Sequence, residues 1–290
     1  MGTIRRAAAT SLLLSLLSMP AAAETWATCT GTVASLPAVI TTQGVWCVDR
    51  DLATAMSSGV AITIAANNVT LDCNGYKLGN LAAGVTTAAV GIQSSGRVNA
   101  TIRGCHVRGF ANGIHLTGSI GASPTSAGHL VEDNHVEAST TNGMLVKGLN
   151  STIRRNRLHD LGLSPTQGVA GIAAIGSVDV VDNVVDGVQA AAGTANAVWG
   201  IYAQPLHGTL IGHNEIRGVL PALGFGWGIF IAGTDGRLSA VRDNMIVRAA
   251  PSTMWASCSP GSTAAVRDNL AMGWTTGSTS CYWFENIELP

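Results

Sequence analysis

Asp179-Val-Val-Asp-Asn-Val-Val185 is a phrase the chain repeats. It returns as Leu130-Val-Glu-Asp-Asn-His-Val136, Thr152-Ile-Arg-Arg-Asn-Arg-Leu158, Leu210-Ile-Gly-His-Asn-Glu-Ile216, Ala240-Val-Arg-Asp-Asn-Met-Ile246 and Ala265-Val-Arg-Asp-Asn-Leu-Ala271. Thr101-Ile-Arg-Gly-Cys-His-Val107 has the same frame with Cys in place of Asn. The asparagines are Asn134, Asn156, Asn183, Asn214, Asn244 and Asn269. Their spacing is irregular but stays within roughly 20–30 residues, the range of solenoid repeats. A second phrase precedes each block: Gly91-Ile, Gly113-Ile, Gly143-Met, Gly171-Ile, Gly200-Ile and Gly228-Ile.

Each repeat reads as one coil of an all-β parallel helix. The apolar runs are short, β-branched and broken by Gly, Asn and Asp, and none keeps a helical period. About 25 residues of this composition cannot supply the two amphipathic helices of a helical solenoid. A bend between strands needs a residue that tolerates left-handed or bridge geometry, and Asn does so cheaply. Stacking places each Asn about 4.8 Å from the next. Their amides can then bond along the stack, so the six asparagines are expected to form a structural ladder.

Arg5 and Arg6 precede the apolar run 7–19, and Pro20-Ala-Ala-Ala23 follows. That pattern predicts a signal peptide over residues 1–23. No later stretch suits a bilayer, so no membrane insertion is expected after its cleavage. The length allows one domain over 24–290, of roughly eight or nine coils, with no dividing linker. Segments 24–60 and 273–290 are expected to cap its ends. Charged residues are 11%, and the net charge of −1 offers no footprint for nucleic acid. The chain is expected to be exported, to the periplasm or beyond.

Six cysteines in an exported chain favour disulfides. Six allow 15 pairings. Local spacing favours Cys29–Cys47, Cys73–Cys105 and Cys258–Cys281. No Cys-x-x-Cys or His-x-x-x-His pair occurs, so no metal ligand set is expected. No cofactor is evident, and calcium has no supporting motif.

Asn68-Val-Thr-Leu-Asp-Cys-Asn-Gly-Tyr-Lys-Leu78, followed by the Asx-rich coils, resembles the opening of bacterial right-handed parallel β-helix repeat proteins of the pectin-lyase-like superfamily. The resemblance covers about residues 29–272 and implies a single-stranded right-handed parallel β-helix. That superfamily includes polysaccharide lyases, galacturonases, alginate epimerases, phage tailspikes and a periplasmic copper-maturation protein. Fold alone does not choose among them. The galacturonase acid pair, Asn-x-Asp and Gly-His-Gly are absent, with only Leu206-His207-Gly208 nearby. The epimerase Asp-Pro-His-Asp is replaced by Leu158-His159-Asp160, and the pectate lyase Arg-x-Pro-x-x-Arg is missing. No Met/His/Cys cluster suited to copper is visible in the sequence.

Alternation within strands assigns outward columns. One runs Arg103, Glu132, Arg154, Val181, Gly212, Arg242, Arg267. The next runs His106, His135, Arg157, Val184, Glu215, Met245, and a third Arg108, Glu137, His159, Asp186, Arg217, Val247. Glycan cleavage or epimerisation needs a proton acceptor, a donor and a partner for a uronate carboxylate. Glu132, His135, Arg154 and Arg157 are the catalytic candidates, expected together in one outer groove. Trp199, Tyr202, Trp227 and Phe230 flank the Gly-Ile phrase on two neighbouring coils. They are candidates for seating sugar rings. Parity with Ile201 and Ile229 points the two tryptophans inward and Tyr202 and Phe230 outward. Trp255 would continue the tryptophan series. Asn68-Val-Thr, Asn99-Ala-Thr and Asn150-Ser-Thr match the glycosylation acceptor but read as turn residues before strands.

These features predict binding or processing of an acidic extracellular or cell-surface polysaccharide, by lyase, hydrolase or epimerase chemistry. The rival expectation is a non-catalytic structural or adhesive solenoid. A periplasmic maturation factor is a third.

Overall fold

The computed structural model describes residues 28–233, 239–250, 253–260, 264–273 and 281–289. The expected signal peptide, 1–23, lies outside them. The described chain is all-β, a parallel β-solenoid of about 8 turns. Its one helical element is the single 3-10 turn Leu81–Ala83.

Every coil crosses three faces. The first holds the strand before each ladder position, for example Leu130–Glu132 and Leu210–Gly212. The second holds the strand after it, such as His135–Glu137 and Arg157–Gly162. The third carries the Gly-Ile phrase, as in Val198–Pro205 and Gly226–Ile231. The post-ladder face is an unbroken ten-stranded sheet. The other two faces merge where Asn142–Arg154 and Val169–Val181 continue round the corner between them. The segments expected to cap the ends contain strands of the same stack. Gly31–Val33 pairs with Gly44–Val48, and Tyr282–Phe284 pairs with Ala264–Arg267.

Alternating residues fill the bore. Ile102, Val131, Ile153, Val180, Ile211, Val241 and Val266 form one inward file with almost no exposure. Val107, Val136, Leu158, Val185, Ile216 and Ile246 form another.

The asparagine ladder is present and continuous. Asn134 Nδ2 donates to Asn156 Oδ1 at 3.0 Å, and the pattern repeats through Asn183, Asn214, Asn244 and Asn269. It extends one rung further, to Asn286, at 2.9 Å. Each Nδ2 also donates to a main-chain carbonyl of an adjacent coil, as Asn214 does to Val180 at 2.8 Å. At the other end, the Cys105 N–H donates to Asn134 Oδ1. The Cys73–Cys105 disulfide then takes the place of the next amide. The other two disulfides are Cys29–Cys47 and Cys258–Cys281, as the spacing predicted.

The left-handed residue of each bend is not the ladder Asn, as expected from the sequence, but the residue before it. Asp133, Arg155, Asp182, His213, Asp243 and Asp268 have φ between 53° and 58°. The Asn side chain must point inward to reach its neighbours, so the residue before it makes the turn. Asn68, Asn99 and Asn150 are left-handed residues at the other corner, and Asn99 Nδ2 bonds Asn68 Oδ1 at 2.8 Å.

Candidate functional site

Two outward surfaces carry chemistry. On the post-ladder face the strands His106–Arg108 and His135–Glu137 and the start of Arg157–Gly162 turn alternate residues outward. Register sets His106 beside His135, and Glu137 between Arg108 and His159. The His106 and His135 rings stack at 4.4 Å and 10°. His159 leans towards them, its centroid 4.7 Å from His135. Glu137 ties the group together: Oε1 lies 3.1 Å from His106 Nε2, and Oε2 lies 3.1 Å from His159 Nε2. Arg108 Nε is 2.8 Å from Glu137 Oε1, an ion pair without hydrogen-bond alignment. His159 Nδ1 meets Asp160 Oδ2 at 2.8 Å. His135 Nε2 is sealed from solvent and has no hydrogen-bond partner. Burial, then the neighbouring His106 and His159, push the His135 pKa down. Arg157, His159, Asp160, Asp186 and Arg217 line an adjoining hollow of about 240 Å³.

The four catalytic candidates are divided between two faces. His135 and Arg157 are neighbours on the post-ladder face. Glu132 and Arg154 are neighbours on the pre-ladder face, across the bend. Glu132 is only 8% exposed. Its Oε2 accepts from Arg154 Nε at 2.9 Å and from Arg155 Nη2 at 2.7 Å. Arg155 also clamps Asp133 and holds that carboxyl below its usual range. The groove expected to unite the four is replaced by a compensated ion-pair cluster and a histidine file. Sequence reasoning passed over His106, Glu137 and His159. Their outward columns were legible, but the reach of His159 across columns was not.

The second surface is aromatic. Trp199 and Trp227 pair in register and stack at 6.0 Å and 14°. Tyr202 and Phe230 stack beside them at 6.0 Å and 18°. Trp199 meets Tyr202 edge-on at 5.4 Å, and Trp227 lies 5.2 Å from Phe230. Phe225, 63% exposed, extends the surface at 6.1 Å from Trp227.

All four rings are on the same outer side, so the inward placement expected for Trp199 and Trp227 is corrected. Gly200 and Ile201 are both buried, and two consecutive inward residues reset the alternation. Gly200 permits this because a Cβ there would lie 2.5 Å from Ile216 Cγ2 and 2.6 Å from the Gly228 carbonyl oxygen. Trp255 does not continue the series. It is fully buried, and its indole N–H donates to Glu288. Met254 is the residue paired with Trp227.

Burial raises the Tyr202 pKa, and the indole N–H groups of Trp199 and Trp227 have no hydrogen-bond partner. Further along this face, Asn142 Nδ2 donates to Asn112 Oδ1 at 2.8 Å. A cavity of about 370 Å³ opens beside them, lined by Thr86, Thr87, Asn112, Thr140, Thr141 and Gln167 among others. Lys147 is on the same face, two coils from Tyr202, with no acidic partner at ion-pair distance among the described residues.

Compared with protein-family models, with curated proteins and with solved structures, the chain gives no match.

Proposed function

We propose that the protein is an exported β-helix of the pectin-lyase-like kind that binds an acidic extracellular polysaccharide on its aromatic face. One observation carries this reading: four outward rings, Trp199, Tyr202, Trp227 and Phe230, stacked in register on two adjacent coils. Such rings offer flat apolar surface to sugar C–H groups. Amides and hydroxyls further along the face suit a polyhydroxylated chain. Lys147 is the nearest uncompensated cation on that face and would meet a uronate carboxylate. Three disulfides fit an oxidising compartment.

The reading stops at binding. Processing would need a free proton carrier against the sugar, and Glu132 is held by two guanidinium groups. That compensation favours the non-catalytic, adhesive form of the rival expectation.

Affinity electrophoresis through gels containing alginate, pectin or a neutral β-glucan tests the proposal. The uronate gels should retard the protein. Trp199→Ala and Trp227→Ala should each weaken retention by about tenfold, the equivalent of roughly 1.4 kcal/mol. Lys147→Gln should reduce the preference for uronates over the neutral polymer. If no polymer retards the wild-type protein and a glycan array is blank, the reading fails.

A further inference from the structure

We propose that the histidine file is a binding site for a divalent cation of the zinc class, with His106, His135 and Glu137 as ligands and His159 as the fourth donor. One nitrogen from each of His106 and His135 and one oxygen of Glu137 all lie within 4.8 Å of one another. Zinc bonds imidazole nitrogen at about 2.0–2.1 Å and carboxylate oxygen at about 2.0–2.2 Å in a tetrahedron, which places ligand atoms about 3.3 Å apart. The 3.1 Å contact of His106 Nε2 with Glu137 Oε1 already matches that spacing, and His159 Nε2 lies 3.1 Å from the second oxygen, Oε2.

His135 Nε2 supplies a second and independent pointer. It is sealed from solvent beside the other donors and bonds to nothing. A buried polar atom in that condition is costly, and a cation would satisfy it. Asp160 against His159 Nδ1 is the kind of outer partner that orients a ligating ring. Donor chemistry selects the ion. Three imidazoles and one carboxylate suit zinc and its neighbours, whereas calcium takes six to eight oxygens. Arg108 competes for Glu137, and its side chain, 31% exposed, has solvent to move into. The ligands come from three consecutive coils, so a bound ion would also cross-link the stack.

Isothermal titration calorimetry of the untagged protein with zinc chloride tests this, with calcium chloride as the comparison. The expected result is one zinc per chain at micromolar affinity or tighter, no calcium binding, and a melting temperature raised by zinc. His135→Gln and Glu137→Gln, checked for unchanged circular dichroism, should each weaken zinc binding by at least about tenfold and lose the thermal shift. His213→Gln, at a bend outside the file, should bind zinc as the wild type does. Absence of zinc binding by the wild type overturns the proposal, as does wild-type zinc binding in both file variants. Neither outcome bears on the aromatic face.

Discussion

Asn214 shows how one side chain does several jobs. Its Oδ1 accepts from the main-chain N–H and the Nδ2 of Asn183, while its own Nδ2 donates to Val180 O and Asn244 Oδ1. Asn214→Leu removes all four bonds and strands buried polar groups on both neighbouring coils. Each group left unpaired should cost about 1–3 kcal/mol, so urea unfolding should show a clear drop in midpoint. An unchanged midpoint would mean the ladder contributes little. The ladder was legible because each rung keeps the same residue in the same frame. The turn residue was not, since Asp133, Arg155 and His213 share no side-chain type. What they share is position, one place before an inward Asn.

At the level of the element, the glycine column decides which side chains face outward. Gly113, Gly143, Gly171, Gly200 and Gly228 each have a Cβ position within 2.7 Å of a main-chain carbonyl oxygen in the next coil. Gly200→Ala would press on that backbone, and overpacking of this kind costs about 1–3 kcal/mol. Gly121→Ala, where nothing lies within 4 Å, should be close to neutral. Equal melting temperatures for the two variants would remove the packing argument. Strict alternation failed for Trp199 and Trp227 because the bend at this glycine puts two inward residues in succession. The same bend brings tryptophan and tyrosine three residues apart onto one surface.

Across the whole molecule, stability should depend on pH through buried histidine. His129 is 2% exposed, and burial depresses its pKa to about 4. Its Nδ1 accepts from the Ala100 N–H, so Nε2 carries the proton and faces Ser126 Oγ, which donates to Lys147 O. In the unfolded chain this histidine takes up a proton near pH 6.5, whereas the folded chain resists until about pH 4. The unfolded state binds more protons in that window, so stability falls as pH drops through it, by roughly 3 kcal/mol from this group. His115 and His135, also depressed by burial, add in the same direction. Thermal melts from pH 7 to pH 4 should show the decline, and His129→Asn should flatten it. By itself the sequence determined the coil, its register, the ladder and the disulfide pairing. These depend on residues recurring in one frame, and stacking in register turns linear recurrence into contact. Only the tertiary structure decided which side chains share a site. The bend at Asn134 parts Glu132 from His135, the bend at Gly200 turns Trp199 outward, and His159 leans across a column towards His135. Each depends on the three-dimensional path of the coil at a corner, which alternation along a strand does not encode.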